Sequence, residues 1–215
     1  MASEKQIVLT KQELAKAITR MAHEVIEKSG SFEELTLIGI RSRGVHIARR
    51  LAQKIEELTR HSPPLGVIDV TLFRDDKIQT QPSAATSMGE ISVSLENKIA
   101  VLVDDVIFRG RTIRAALEAV ERLGHAKRIL LAVLIDRGAR ELPIRADIIG
   151  KNIEASDSQR VNVLLEESDG IDHLNIGMLG HCLNCAVPVM SDNQNIGITR
   201  NYFGGIGDAL PLGGR

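Results

Sequence analysis

The sequence predicts an α/β fold, with a mostly parallel central sheet flanked by helices. Short apolar runs at 35–40, 99–103 and 128–136 are rich in Val, Ile and Leu, which is typical of strands buried on both faces. Stretches with the periodicity of amphipathic helices lie between these runs. Twice, a strand leads through a charged, glycine-containing turn into a helix, which is the order expected of an α/β chain.

Composition limits the classes of function. The 215 residues favour one domain, and an apolar content of 43% is enough to build a core. A net charge of −1 and a pI near 6.6 give no general attraction to nucleic acid or membranes, so any RNA binding must come from a local patch. The sequence has no apolar run long enough to cross a bilayer, no secretory N-terminal segment and only two cysteines. We therefore predict a cytoplasmic protein.

The first predicted helix covers residues 10–29, and Thr10 and Glu13 have the spacing of a capping box at its start. One face is apolar and carries Leu14, Ile18, Met21 and Val25. The opposite face is polar and carries Gln12, Lys16, Thr19 and His23. Arg20 and Glu24 are four residues apart and can form an ion pair. Spacing alone favours a solvated surface for the polar face.

The run 35–40 predicts a strand, and a helix is expected from about Val45 to Leu58. The turn between them, Arg41-Ser42-Arg43-Gly44, is charged and has a glycine at the start of the following helix. These features fit an anion site for pyrophosphate. An ordinary surface loop is the alternative. A further strand is expected over 65–73, followed by a long polar connection to about residue 90. This connection is either a lid over a reaction site or a flexible hairpin.

The stretch 99–124 carries the strongest indication of function in the sequence. A strand over 99–103 is followed by the acids Asp104 and Asp105, a turn at 108–112 and an amphipathic helix that Gly124 is expected to end. The turn has the features of a phosphate cradle, because Gly110 lets a phosphate approach the backbone and a helix N-terminus favours negative charge. Thr112 adds a hydroxyl, and Arg109 and Arg111 add positive charge.

Two acids directly before a phosphate-binding turn suit a sugar phosphate, with hydroxyls on the carboxylates and the phosphate in the turn. The turn lacks the Gly-Lys-Ser/Thr of a Walker motif and the three glycines of a dinucleotide fingerprint. The pattern therefore predicts a phosphoribosyl site, and the alternative is a buried strand that ends in solvated acids.

A last parallel strand is expected over 128–136, and the chain then turns basic through residue 152. The cations of this stretch are Arg137, Arg140, Arg145 and Lys151. Composition alone favours a solvated edge, because Asp136, Glu141 and Asp147 offset the charge, with RNA binding as the alternative. A closing hairpin is expected from 161–165 and 171–176, around Ser168-Asp-Gly170.

The stretch from Ala100 to Leu117 resembles the phosphoribosyl pyrophosphate (PRPP) motif of type I phosphoribosyltransferases. Other segments make the chain similar to a narrower family, the bifunctional pyrimidine operon attenuators and uracil phosphoribosyltransferases (PyrR). These segments are Thr19-Arg20-x-x-His23-Glu24, Arg140-Glu-Leu-Pro-Ile-Arg-Ala-Asp and Gly150-Lys-Asn. The resemblance covers roughly residues 5–176 and departs from the family at Arg109, where a small hydroxyl residue is usual.

The resemblance implies the type I phosphoribosyltransferase fold with a small hood, and an enzyme that converts uracil and PRPP to UMP and diphosphate with Mg²⁺ bound to PRPP. The implied catalytic residues are Asp104, Asp105, Arg41 and Arg43. The implied PRPP-binding residues are Phe108, Arg109, Gly110, Arg111, Thr112, Ser42, Gly44 and Arg74, the last in a mobile loop of the family. Arg137 and Ile149 are expected to contact the base.

The same resemblance implies binding of a pyrimidine-operon mRNA leader, controlled by UMP or UTP, and a homodimer or higher homo-oligomer. The RNA-binding residues are expected to be Thr19, Arg20, His23, Arg140, Arg145 and Lys151. Four Phe, one Tyr and no Trp leave few rings for base stacking, so arginine and phosphate contacts would carry recognition. Two other hypotheses remain: a nucleotide-sensing regulator with little turnover, and a phosphoribosyltransferase for another base without an RNA role.

We predict a domain over residues 1–176 and a glycine-rich extension over 177–215. The extension holds eight of the eighteen glycines and only four charged residues. Its His181-Cys182-x-x-Cys185 is a weak zinc signal, because a fourth ligand is missing, and free thiols are favoured. The sequence assigns no function to this extension.

Overall fold

The computed structural model describes residues 6–71, 89–90 and 94–178. Within them, the helices are α1 (Lys11–Ser29), α2 (Arg43–Thr59), α3 (Arg111–Leu123) and α4 (Glu166–Asp169). The strands are β1 (Gln6–Leu9), β2 (Leu35–Ile40), β3 (Leu65–Ile68), β4 (Gly89–Glu90), β5 (Ile99–Ile107), β6 (Arg128–Asp136), β7 (Ile148–Asn152), β8 (Gln159–Leu164) and β9 (His173–Met178). The predicted division at residue 176 stays a prediction, because the description ends at Met178.

The central sheet has the strand order β4-β3-β2-β5-β6-β7. All neighbouring strands from β3 to β7 pair in parallel, and β4 pairs antiparallel with β3. The predicted α/β class with a mostly parallel sheet is therefore confirmed. In such a sheet the turns that follow the strands all meet at one edge, which is where the candidate site lies.

Alternate residues of β5 enter two separate core layers. Ile99, Val101 and Val103 pack in the layer formed with α1 and α2, whereas Ala100 and Leu102 pack in the layer formed with α3. Successive side chains of a strand point to opposite faces, so a strand covered on both sides must be apolar at every position. This requirement explains why an unbroken apolar run predicted β5 correctly.

Helix α1 begins as the sequence predicts. The Thr10 hydroxyl accepts a hydrogen bond from the Glu13 N–H, and the Glu13 carboxylate accepts one from the Thr10 N–H at 2.9 Å, which completes the capping box. Gly30 ends the helix in the left-handed conformation, with a φ of 68°. The predicted apolar face, Leu14, Ile18, Met21 and Val25, is buried in the core.

Several element boundaries differ from prediction, including those of the hairpin strands, which cover Gln159–Leu164 and His173–Met178 rather than 161–165 and 171–176. Strand β5 continues through Asp104 and Asp105 to Ile107, because Asp104, Val106 and Ile107 still pair with β6 beyond the apolar run. Helix α2 begins two residues earlier than expected, at Arg43. Strand β3 ends at Ile68 rather than at 73. The connection that is predicted to be either a lid or a flexible hairpin lies largely outside the described residues.

A second sheet, which we call the hood, has the antiparallel order β1-β9-β8. The predicted hairpin is confirmed as β8 and β9, although the short helix α4 occupies most of the connection. Strand β1 was not predicted, because four residues are too few to show periodicity. Its pairing with β9 joins the two ends of the described chain.

Candidate active site

Three turns meet at the carboxyl edge of the central sheet. Strand β2 ends before 41–44, β5 ends before 108–112, and β6 ends before Arg137. Strand β5 pairs in parallel with both β2 and β6, so these turns are adjacent although they are far apart in sequence. The structure therefore brings together the predicted pyrophosphate turn, the predicted phosphate turn and the basic segment.

The 41–44 turn is packed directly against the strand that carries the acids. A Cβ on Gly44 would lie 2.4 Å from the carbonyl oxygen of Val103 and 3.2 Å from the Cα of Asp104. Gly39 is similar, because its Cβ would lie 2.6 Å from the Cα of Val45. The sequence predicts that Gly44 gives an anion room at this turn. In the structure the space beside Gly44, like that beside Gly39 in β2, is filled by helix–strand packing.

Asp104 and Asp105 lie in the last part of β5. Asp104 is buried, and its Oδ1 accepts a hydrogen bond of 2.9 Å from the Asp105 N–H. Asp105 is half-buried, and its Oδ1 accepts one of 2.8 Å from the Val106 N–H. Burial raises the pKa of Asp105, whereas the Val106 N–H and the positive charge of Arg43 oppose that rise. Arg43 is thus close enough to act on this carboxyl.

The phosphate turn lines a cavity of about 260 Å³, formed by residues 106–113. Gly110 is the N-cap of α3, with a φ of 92°, so the helix start has no capping side chain of its own. The first N–H groups of a helix have no intrahelical partners and are free to bind an anion. Thr112 is half-buried beside them. The local geometry is that of an anion site.

The two arginines of this turn share one acidic partner. Glu141 lies 3.1 Å from Arg109 Nε and 2.7 Å from Arg111 Nη2. Two guanidinium groups lie over the Phe108 ring, that of Arg109 at 5.1 Å and that of Arg137 at 3.8 Å from the ring centre. Glu141 was expected only to offset charge, and its role as the partner of both turn arginines was missed.

Both arginines of the 41–44 turn also have acidic neighbours. Arg41 is exposed and lies 3.7 Å from Asp69, whereas Arg43 forms a two-pronged contact with Asp169 of α4. Ser42 is exposed at the N-cap of α2. Sequence reasoning missed Asp169, because no local pattern connects residues that are 126 positions apart.

The two residues expected at the base differ in their surroundings. Arg137 is buried, and its Nη atoms donate to the carbonyl oxygens of Ser156 and Gln159 at 3.1 and 3.3 Å. Its Nε is buried and finds no hydrogen-bond partner within the described part of the chain. Burial lowers the pKa of this guanidinium. Ile149 is half-buried on β7 and packs against the core layer of α3.

Four of the six residues expected to bind RNA lie where α1 crosses β7. Thr19, Arg20 and His23 are on α1, Arg20 Nη2 donates to the carbonyl oxygen of Gly150, and Lys151 follows on β7. A Cβ on Gly150 would lie 2.4 Å from the carbonyl oxygen of Leu134 and 3.0 Å from Met21 Sδ, so this crossing requires glycine. His23 is exposed and Thr19 is partly exposed. We call these four residues the α1–β7 surface.

Arg140 has a different position. Its guanidinium donates to the carbonyl oxygens of Phe108, Gly138 and Ile144 at 2.8–3.0 Å, and it forms an ion pair of 2.6 Å with Asp136. It is therefore an anchored part of the turn beside the phosphate site rather than a freely exposed cation. Arg145, five residues on, is exposed.

Some predicted residues fall outside the described part of the chain. They are Arg74, His181, Cys182 and Cys185. Among the residues that the structure describes, no group of three His, Cys, Asp or Glu side chains is arranged to hold a metal ion. A search of the same residues finds no helix that is both long enough and apolar enough to span a membrane.

The fold and the turns at the carboxyl edge of the central sheet define the class of this protein as a phosphoribosyltransferase. Residues 5–167 match the family model of the phosphoribosyl transferase domain, to which the chain belongs. A solved structure of similar fold is hypoxanthine phosphoribosyltransferase from Trypanosoma cruzi in complex with IMP, with a TM-score of 0.61, 14% identity and coverage of 83% of this chain and 92% of that one. The predicted type I phosphoribosyltransferase fold is confirmed.

Within that class, the chain belongs to the PyrR family. It is 48% identical over 174 residues to the bifunctional protein PyrR of Chloroflexus aurantiacus, covering 81% of this chain and 95% of that protein. It is 49% identical over 170 residues to the PyrR of Pelotomaculum thermopropionicum, covering 79% and 94%. The predicted family is confirmed, and with it the family's function as a uracil phosphoribosyltransferase and regulator of pyrimidine-operon attenuation.

Proposed function

We propose that PRPP binds across the carboxyl edge of the central sheet and that uracil displaces its diphosphate to form UMP. The 5′-phosphate occupies the 108–112 turn, the ribose hydroxyls bind Asp104 and Asp105, and the diphosphate lies against the 41–44 turn. The observation that carries this proposal is the packing of Gly44 on Val103, which places two helix N-termini beside one pair of acids. This arrangement matches a sugar that carries phosphates at both ends.

In the proposed reaction the bond from ribose C1 to the diphosphate oxygen breaks, a bond from C1 to N1 of uracil forms, and the N1 proton passes to the released diphosphate. Positive charge develops on the sugar as the bond breaks, and the carboxylates of Asp104 and Asp105 stabilise it. Arg41 and Arg43 stabilise the negative charge that develops on the leaving diphosphate. The protein acts by orienting both substrates, and none of its side chains becomes covalently attached.

The carboxylates near the turns fit a magnesium ion that arrives with PRPP. Mg²⁺ prefers oxygen ligands, keeps several waters and binds through one or two carboxylates together with substrate phosphates. Asp104 and Asp105 supply such oxygens, and no three-residue metal cage exists among the described residues. Bound in this way, the ion would neutralise charge on the diphosphate.

We place uracil beside Arg137 and the segment that follows β6. The buried Arg137 Nε, which has no hydrogen-bond partner in the described part of the chain, is a donor available to a carbonyl oxygen of the base. The Phe108 ring lies against the same guanidinium, 3.8 Å from its ring centre, and adds apolar surface beside this donor. Ile149 lies on the neighbouring strand and would contribute shape rather than hydrogen bonds.

For the regulatory activity, we propose that the α1–β7 surface and Arg145 bind the leader of pyrimidine-operon mRNA, and that UMP or UTP in the PRPP site strengthens this binding. Arg140 links the phosphate turn to the end of β6, the strand beside β7, through its contacts with Phe108 and Asp136. Assembly into a homodimer or larger homo-oligomer would extend the RNA surface with an equivalent helix. We also propose a cytoplasmic location, because these ligands are cytoplasmic.

The test combines two assays on the full chain. Purified protein is mixed with PRPP, Mg²⁺ and one base at a time, and nucleotide formation is measured for uracil, cytosine, hypoxanthine and guanine. A gel shift with the leader RNA is run with and without UMP. Product with uracil and UMP-dependent RNA binding are expected. No product with any base would favour a nucleotide sensor, and product with a purine alone would favour an enzyme for another base.

A further inference from the structure

Arg43, at the start of α2, is held by an aspartate of the hood connection. Its Nη2 and Nε donate to the two carboxylate oxygens of Asp169, at 2.8 and 3.3 Å. The two side chains are 34% and 20% exposed, so the pair is largely shielded from solvent. A two-pronged contact fixes the plane of the guanidinium as well as its position.

Asp169 is itself well anchored. Its Oδ2 also accepts hydrogen bonds from the Leu165 N–H at 3.0 Å and from the Ser168 hydroxyl at 2.9 Å. Burial opposes ionisation, but the Leu165 N–H and Arg43 outweigh it and hold the pKa of Asp169 below its usual range. The carboxylate is therefore charged and oriented before any ligand arrives.

The contact leaves part of the guanidinium available. Arg43 uses its Nε and one Nη2 proton toward Asp169, and among the described residues its Nη1 end has no hydrogen-bond partner. Arg43 contacts the hood connection through Asp169, and its charge also opposes the rise in the pKa of Asp105. A diphosphate at the 41–44 turn would meet this free end.

A second arginine on the same face of α2 strengthens the connection to the hood. Arg50 lies seven residues, or about two helical turns, after Arg43. It forms two-pronged ion pairs with Glu167 and Asp172, with shortest distances of 2.6 and 2.7 Å. Arg43 and Arg50 thereby fix the segment 165–172 to α2 at two places. Of these two, the contact between Arg43 and Asp169 is the one at the candidate site.

We propose that Asp169 is a positioning residue for PRPP binding, which holds the Arg43 guanidinium with its free end toward the diphosphate. This inference rests on the proposed function and adds the hood as part of the diphosphate site. Without Asp169, Arg43 would have to be ordered by the ligand, and the cost of immobilising one long side chain would appear as weaker binding. The loss would fall on PRPP and diphosphate, and uracil would be spared.

The experiment compares Asp169→Asn with the matched control Glu167→Gln, which weakens the other hood contact. For Asp169→Asn we expect the KM for PRPP and the Kd for magnesium diphosphate to rise roughly five- to tenfold, with kcat and the KM for uracil within about twofold. Glu167→Gln should leave all four values unchanged. Equal KM values for PRPP in both variants, or a parallel loss of all parameters in Asp169→Asn, would overturn the inference.

A double-mutant cycle tests whether Asp169 acts through Arg43. Lysine in place of Arg43 cannot make the two-pronged contact, so Asp169→Asn should have no further effect on PRPP binding in an Arg43→Lys background. Additive effects would show that Asp169 acts elsewhere and would refute the inference. PRPP binding is also measured by calorimetry, which does not depend on turnover. If the protein bound PRPP but made no UMP, the proposed function would be contradicted, and the effect of Asp169 on PRPP binding could still be tested.

Discussion

Arg140 Nη1 donates a hydrogen bond of 2.8 Å to the carbonyl oxygen of Phe108, which links the basic segment after β6 to the first residue of the phosphate turn. The same guanidinium is paired at 2.6 Å with Asp136 at the end of β6. One side chain therefore fixes the phosphate turn to the neighbouring strand. We therefore expect a ligand in that turn to act on the basic segment through this contact.

Arg140→Ala is expected to impair both activities. The substitution leaves the largely buried Asp136 carboxylate without its cation, which we expect to cost about 2 kcal/mol of unfolding free energy. It also releases the Phe108 carbonyl, so both UMP formation and RNA binding should fall. Denaturant unfolding, the UMP assay and the gel shift measure the three effects. Arg145→Ala is the control, because Arg145 is exposed, and it should weaken RNA binding alone.

Asp104→Asn and Asp105→Asn should separate catalysis from RNA binding. Each substitution removes a negative charge from the sugar site, so the rate of UMP formation should fall roughly 100-fold. RNA binding without nucleotide should stay within about threefold of the wild type, because α1 and β7 are unchanged. Equal loss of both activities in a folded variant would contradict this division of roles.

His23→Ala should give the opposite result. His23 is exposed on α1, so the substitution should preserve the fold and UMP formation. If the side chain contacts RNA, affinity should fall by about 1–3 kcal/mol, the range for a single recognition contact. The affinity is measured at a fixed, moderate salt concentration, because phosphate contacts weaken as salt rises. An unchanged affinity would remove His23 from the proposed RNA surface.

Gly44→Ala should damage the site through packing. The new methyl group would lie 2.4 Å from the Val103 carbonyl oxygen, so α2 must move away from β5. We expect a loss of about 1–3 kcal/mol in unfolding free energy, together with weaker PRPP binding. Gly177→Ala is the matched control, because a Cβ there meets no atom within 4 Å. Similar stability of the two variants would contradict the packing argument.

The contact between Arg50 and Asp172 should make stability depend on pH. Burial of Asp172 favours its neutral form, but hydrogen bonds from Arg50 and the Glu166 N–H outweigh it, so the pKa is lowered on folding. Stability from this group is present above the ordinary aspartate pKa of about 4 and is lost as pH falls through the lower folded value. Asp172→Asn should cost about 1–3 kcal/mol at pH 7 and progressively less below pH 4. A cost that is the same at pH 7 and pH 3 would contradict this account.

The parts of the site that are local in sequence could be predicted. The capping box of α1, the buried strands and the Asp-Asp pair before a glycine turn depend on residues a few positions apart, so the printed order of residues reveals them. Glu141, Asp169 and the anchored position of Arg140 could not be predicted. Their roles depend on ion pairs and hydrogen bonds between residues that are 30 or more positions apart in the sequence. They also depend on the path of a loop, which is set by the elements packed around it.

The sequence alone determined the α/β class, the phosphoribosyl motif and the family, because strand burial, helix periodicity and motif spacing are properties of short segments. Only the tertiary structure decided which glycines serve packing, which arginines are already paired and how the hood reaches the site. Gly44 shows the reason. Its close approach to Val103 exists only once β2 and β5 pair in parallel. That pairing cannot be deduced from the residues next to Gly44 in the sequence.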